Sequence, residues 1–339
     1  MTRKLLAIAG IVACTAALGG FSRSAQADTI TLSYSIFFPP THGQCIAGEN
    51  WAKEIEKKTN GRVKINVYAG GTLVKAPATY NAVSTGIADI GMSCFAYTRG
   101  RFPVMEAVDL PLGYPDGKTA TCVANKFYAK MKPAELDDVK VLYLHAHGPG
   151  LLHTKKPVRT LADVKGLKVR STGFSAKVVT ALGGVPVAMP QGATYEALQK
   201  GVVEGTFAPI ETLKGWKQAE VVKYTTNSRD IGYTTCMFVV MNKKKWETLP
   251  ADIQKVFDEV SQEAIKAHAE TWDRADQEGA AFTRELGNEI IDLTPEQNAL
   301  WVAAVRPVLD EYVADMKQKN LPGEKAVAEL QSMIQKSGK

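Results

Sequence analysis

The chain has 339 residues, with 41 Lys and Arg against 35 Asp and Glu and a net charge of +6. Arg3, Lys4 and Arg23 fall in the first 27 residues; without that stretch 312 residues remain at +3, too balanced for the concentrated basic face of a nucleic-acid binder. A length near 310 exceeds what one hydrophobic core supports, so two domains are expected.

The first 27 residues read as an export signal. Arg3 and Lys4 precede an apolar run from Leu5 to Phe21, and Ala25-Gln26-Ala27 is a small-x-small cleavage site. An exported chain cleaved after Ala27 is expected. No later segment is apolar for long enough to cross a bilayer. Cys45, Cys94, Cys122 and Cys236 follow the signal at wide, unpatterned spacing. Buried free thiols and one bridge, in any of three pairings, both stay open.

Thr29 to Phe37 alternates as a strand and ends at Pro39-Pro40. Ile46, Trp51 and Ile55 recur at helical spacing, and Asn60-Gly61 closes that helix. A strand from Val63 to Tyr68, a Gly70-Gly71 turn, a helix to about Gly86 and a strand over 88–92 complete a repeating strand–helix pattern. The pattern implies an α/β domain with a mostly parallel sheet. After a strand from Val139 to His145 it resumes, with strands near 167–169, 185–188 and 205–208 and helices over 175–182 and 194–200. The apolar run 231–241 is placed to return the chain to the first domain. From Ala251 to about Leu286 the chain runs without proline, long enough for a helix that spans both domains. Thr294-Pro295-Glu296-Gln297 is a capping box that opens another helix.

Catalytic signatures are missing. Gly91-Met92-Ser93-Cys94-Phe95 lacks the second glycine of a nucleophile elbow, and Gly148-Pro149-Gly150 does not continue as a phosphate loop. A secreted hydrolase is therefore the weaker rival. His145, His147 and His153 lack a further ligand at metal-binding spacing and read as turn and core histidines. Neither metal nor cofactor is expected.

Phe37, Phe38, Phe95, Tyr97, Phe207 and Tyr233 gather at the ends of strands, where open α/β sheets bind ligands. Arg170 stands in the same position, in GLKVRSTGF, with no acidic residue within five positions. A carboxylate suits its two-pronged guanidinium.

With Arg170 in GLKVR, the stretch YEALQKGVVEG over 195–205 and Pro209, the chain resembles the solute-binding component of tripartite ATP-independent periplasmic (TRAP) transporters. The turn GGTL over 70–73, GIADIG over 86–91 and WETLP over 246–250 extend the similarity across the chain. The resemblance implies a periplasmic receptor of type II-like fold, with two α/β domains and a long brace helix. These close over an organic acid anion and deliver it to a membrane permease. The first domain would take residues 28–148 with about 237–270, the second 149–236 with about 271–339. By the same resemblance Arg170 grips the ligand carboxylate, Gln191 is a contact, and His42 is a candidate for a further one. Ala208 stands where dicarboxylate and sialic-acid members often carry asparagine, and GLLH over 150–153 replaces a second arginine. The expected ligand thus has one acidic head and an apolar or aromatic body; a small sulfonate or a dicarboxylate is the alternative.

Overall fold

The computed structural model describes residues 29–337; the export signal and its cleavage site lie outside them. Eleven strands run in chain order as β1 (Ile30–Ile36), β2 (Val63–Tyr68), β3 (Ile90–Cys94), β4 (Val139–Ala146), β5 (Gly150–Thr154), β6 (Lys168–Ser171), β7 (Val185–Ala188), β8 (Gly205–Pro209), β9 (Tyr224–Asn227), β10 (Cys236–Asn242) and β11 (Glu289–Asp292). They form two sheets, ordered β2-β1-β3-β10-β4 and β11-β9-β5-β8-β6-β7.

Both sheets are mixed, with half of the pairings in the first and most of those in the second parallel. β1 runs parallel to β2 and β3, and β6 parallel to β7 and β8, as strand–helix–strand units require. The strands that carry the chain between sheets enter antiparallel: β10 against β3 and β4, β5 against β8 and β9. The apolar run expected to return the chain to the first sheet does so as β10. β3 begins two residues later than its alternation predicts. Asp89 is drawn out of the strand because its carboxylate accepts from Ser33 N and Ser33 Oγ, each at 2.8 Å.

Besides the long helix that leads from β10 to β11, two short crossings join the sheets, Ala146 to Gly150 and Ser228 to Cys236. They are bonded to each other: Gly150 N donates to Tyr233 O at 3.0 Å and Thr234 Oγ1 to His147 O at 2.6 Å. The helix Ala251–Glu285 braces both sheets and at ~1.5 Å per residue is about 52 Å long. Ile253, Phe257, Val260, Ala264 and Trp272 enter the first core, while Phe282 packs against the second. Thr294 caps the helix Pro295–Val305, whose Trp301 and Val305 belong to the second core.

The last two helices depart from the expected boundary, which gave 271–339 to the second domain. Val308, Tyr312, Met316, Ala326 and Leu330 join the first core beside Phe102, Phe127 and Leu136. The apolar face of Pro307–Gln318, repeating every four residues, covers that core, and Tyr312 Oη donates to Pro103 O at 3.1 Å.

Candidate ligand-binding site

Between the sheets lies a cavity with about 410 Å³ of empty space, part of it open to solvent. Its aromatic wall begins where β1 stops. Pro39 and Pro40 cannot continue a hydrogen-bonded ladder, so Phe37 and Phe38 stand at the strand end with ring centroids 4.0 Å apart. Trp216 stacks on Phe37 at 6.2 Å, Trp272 meets Phe38 edge-on at 5.8 Å, and Tyr97 meets Phe37 edge-on at 5.8 Å.

Arg170 faces this wall from β6. It is only 3% exposed, and its Nε and Nη2 both donate to Met189 O, at 3.1 and 3.0 Å. That forked contact fixes the plane of the guanidinium. No Asp or Glu among the described residues pairs with it. Nη1 has no partner among the described residues, yet is not sealed inside the protein; its open side is the cavity, where Arg170 is the one Lys or Arg among the described lining residues. A buried, uncompensated cation is costly unless an anion completes it.

Gln191 extends the polar end. Its N–H donates to Tyr97 Oη at 3.0 Å, a bond from one side of the cavity to the other. Its Nε2 is sealed without a partner, a donor that a ligand acceptor reaches only once the side chain turns into the cavity that Gln191 lines. Ala208 lines the cavity as expected and contributes no polar side chain.

The crossings supply the rest. Tyr233 lines the cavity with its hydroxyl turned away, donating to Phe207 O at 2.8 Å. His147 also lines it, with Nδ1 2.5 Å from Gly148 O. Burial pushes this imidazole down to about 4, against the pull of the Gly148 carbonyl and with the help of the Arg170 guanidinium.

Three expected contacts fall elsewhere. Phe95 is fully buried in the first core, edge-on to Phe102 at 4.9 Å. The strand-end rule misplaces it because the short 3-10 turn Phe95–Tyr97 points its first side chain inward and its last outward. Phe207 lies behind Tyr233, stacked at 4.9 Å, and reaches the cavity wall only through that ring. His42 stacks on the far side of Phe38 at 4.5 Å and pairs with Glu211, in a neighbouring groove.

His147, Glu211, Trp216 and Trp272 line the cavity without having been expected there. Trp272 carries the same helical spacing as core residues. Trp216 and Glu211 follow β8 in short turns that no period marks, and the histidine spacing gave only a metal test. The other histidines are core groups: His145 accepts from Trp272 Nε1 at 3.1 Å, and His153 Nε2 lies 3.1 Å from Ala208 O. All four cysteines after the signal are free thiols.

The sequence model of bacterial extracellular solute-binding protein family 7 matches residues 34–315. The chain belongs to this family. It is 28% identical to the C4-dicarboxylate-binding periplasmic protein DctP of Rhodobacter capsulatus, over 96% of this chain and 98% of that one. A TRAP solute-binding protein from Rhodoferax ferrireducens, solved with copurified benzoate, superposes with a TM-score of 0.86 at 28% identity, covering 91% of this chain and 98% of the other. A marine metagenome TRAP protein specific for aromatic acids, solved with metahydroxyphenylacetate, gives the same TM-score and identity over 91% and 100%. The fold is thus the two-domain one of TRAP solute-binding proteins, and the protein is a solute-binding receptor of this family, not an enzyme. No helix among its described residues is long and apolar enough to cross a membrane.

Proposed function

We propose that this receptor captures a monocarboxylate with an aromatic or apolar body, grips its carboxylate with Arg170 and Gln191, and delivers it to a TRAP permease. The observation that carries the reading is the buried Arg170 guanidinium, fixed by one carbonyl and left without a carboxylate of its own. The ring wall of Phe37, Phe38 and Trp216 fits a flat apolar body. A dicarboxylate, which the Rhodobacter relative's name would suggest, meets no second cation in the lining and finds the Glu211 carboxylate there, so its second charge would be desolvated and unpaired. The benzoate of the Rhodoferax protein is consistent with this preference. We infer a domain boundary near residue 306, a reading supported by the packing of Val308, Tyr312, Met316, Ala326 and Leu330 beside Phe102 and Phe127.

Thermal-shift and calorimetric screening of benzoate, phenylacetate, succinate and a small sulfonate tests the reading, because a ligand that binds only the native state raises its stability. Stabilisation by the aromatic monocarboxylates is expected. Stabilisation by succinate alone overturns it.

A further inference from the structure

His147 is held rigidly at the polar end of the cavity. Thr234 Oγ1 anchors its carbonyl at 2.6 Å, and its ring sits edge-on to Tyr233 at 5.8 Å and to Trp272 at 6.0 Å. Nδ1 lies 2.5 Å from Gly148 O. A carbonyl oxygen only accepts, so Nδ1 carries the proton and Nε2 of the neutral ring is a bare acceptor. Nε2 has no partner among the described residues and is not sealed from the cavity that the ring lines.

The neighbours decide what Nε2 can meet. His147 and Arg170 both line this one cavity, so a ligand gripped by Arg170 lies in reach of the imidazole. A bare lone pair repels a carboxylate oxygen and accepts from a hydroxyl. A hydroxyl on the carbon next to the carboxylate is such a group, carried beside the acid head.

We propose that His147 is a specificity-determining residue that accepts a hydrogen bond from a 2-hydroxyl on the bound acid, so that the receptor selects 2-hydroxy aromatic acids over their deoxy analogues. This rests on the reading of Arg170 as the carboxylate grip. A buried acceptor left unpaired by the deoxy acid makes the discrimination, for which about tenfold is expected.

The test measures mandelate and phenylacetate by calorimetry on the exported protein freed of co-purified ligand. Mandelate is expected to bind about tenfold tighter, with no proton taken up when the titration is repeated in buffers of different ionisation enthalpy. In His147→Leu the affinity ratio should collapse towards one, and in His147→Gln, whose amide oxygen can still accept, it should partly return. Equal affinities in the unaltered protein overturn the proposal without any variant being needed. So does a ratio that survives in His147→Leu, or uptake of about one proton, which would mean that an imidazolium meets the carboxylate itself. Should neither acid bind, the monocarboxylate reading falls too, whereas equal binding of both sinks the hydroxyl proposal alone.

Discussion

His42 Nε2 lies 2.9 Å from Glu211 Oε2, both side chains buried, and the pair ties the turn after β1 to the turn after β8 across the two sheets. The tautomer is fixed, because His42 Nδ1 accepts from Gln44 N at 3.1 Å as the cap of the helix Gly43–Lys58, leaving Nε2–H to donate. His42→Ala removes the cap, worth about 1 kcal/mol, and orphans a buried carboxylate oxygen at about 1–3 kcal/mol or more. His42→Asn keeps the cap but loses the tie and the ring stacking on Phe38. Urea denaturation should therefore find His42→Asn destabilised by at least about 1 kcal/mol and His42→Ala by more. An Asn variant as stable as the parent would show the tie to be idle.

Asp276, on the long helix, accepts from Glu211 N at 3.1 Å. Burial first, and the Glu211 charge second, push its carboxyl up to about 8. A folded-state value above the unfolded one, about 3.9, favours the fold while the acid is protonated. The contribution is full below about pH 4 and is lost as pH climbs through about 8, by up to about 1.4 kcal/mol per unit. Asp276→Asn keeps an oxygen for the Glu211 N–H and cannot ionise. Its stability relative to the parent should thus rise between pH 5 and pH 8, read from urea midpoints at the two values. A difference that stays constant contradicts the assignment.

Gly279 sits in the interior of the long helix, where Gly costs about 1 kcal/mol against Ala. A Cβ there would lie 2.4 Å from Ile210 O and 2.9 Å from Glu211 Cα, backbone atoms that cannot swing aside. Gly279→Ala should therefore destabilise by about 1–3 kcal/mol despite the gain in helix propensity. A stabilised variant would mean that the helix does not press on that turn.

The alternation of strands and helices, the 35-residue brace and the Arg170 position were legible because each rests on a local period or on the end of a period. The mixed pairing of β5 and β10 was not, since strand direction depends on where the chain crosses between sheets. Tyr97 and Phe95 show the limit most plainly: two residues apart at one strand end, one lines the cavity and the other fills the core. A 3-10 turn decides between them, and no apolar pattern encodes it. Trp216 and Glu211 were out of reach for the same reason. His147 was noticed for its spacing, but only its Nδ1 contact gives it a chemical role.

The four thiols should behave as two classes. Burial raises the Cys45 thiol to about 11 and pushes those of Cys94 and Cys236 up as well, which suppresses the reactive thiolate. Cys122 alone is half-buried. Titration of the native exported protein with a disulfide reagent should label at most Cys122, with the other three reacting only in denaturant, and reductant should leave the melting temperature unchanged. A reductant-sensitive melting temperature would require a bridge.

Arg170 would meet two demands on its guanidinium at once: Nε and Nη2 hold Met189 O, while Nη1, without a partner among the described residues, is the atom proposed to meet the ligand. Arg170→Lys offers one ammonium for both partners and lacks the planar fork that a carboxylate matches. Arg170→Gln removes the charge. Loss of a charged hydrogen bond costs about 1.5–3 kcal/mol, so both variants should bind aromatic acids at least tenfold more weakly, with Gln the worse of the two. The measurement is calorimetric affinity at matched ionic strength, beside a denaturation curve that separates lost binding from lost fold. Gln binding as tightly as Arg would place the carboxylate somewhere other than position 170.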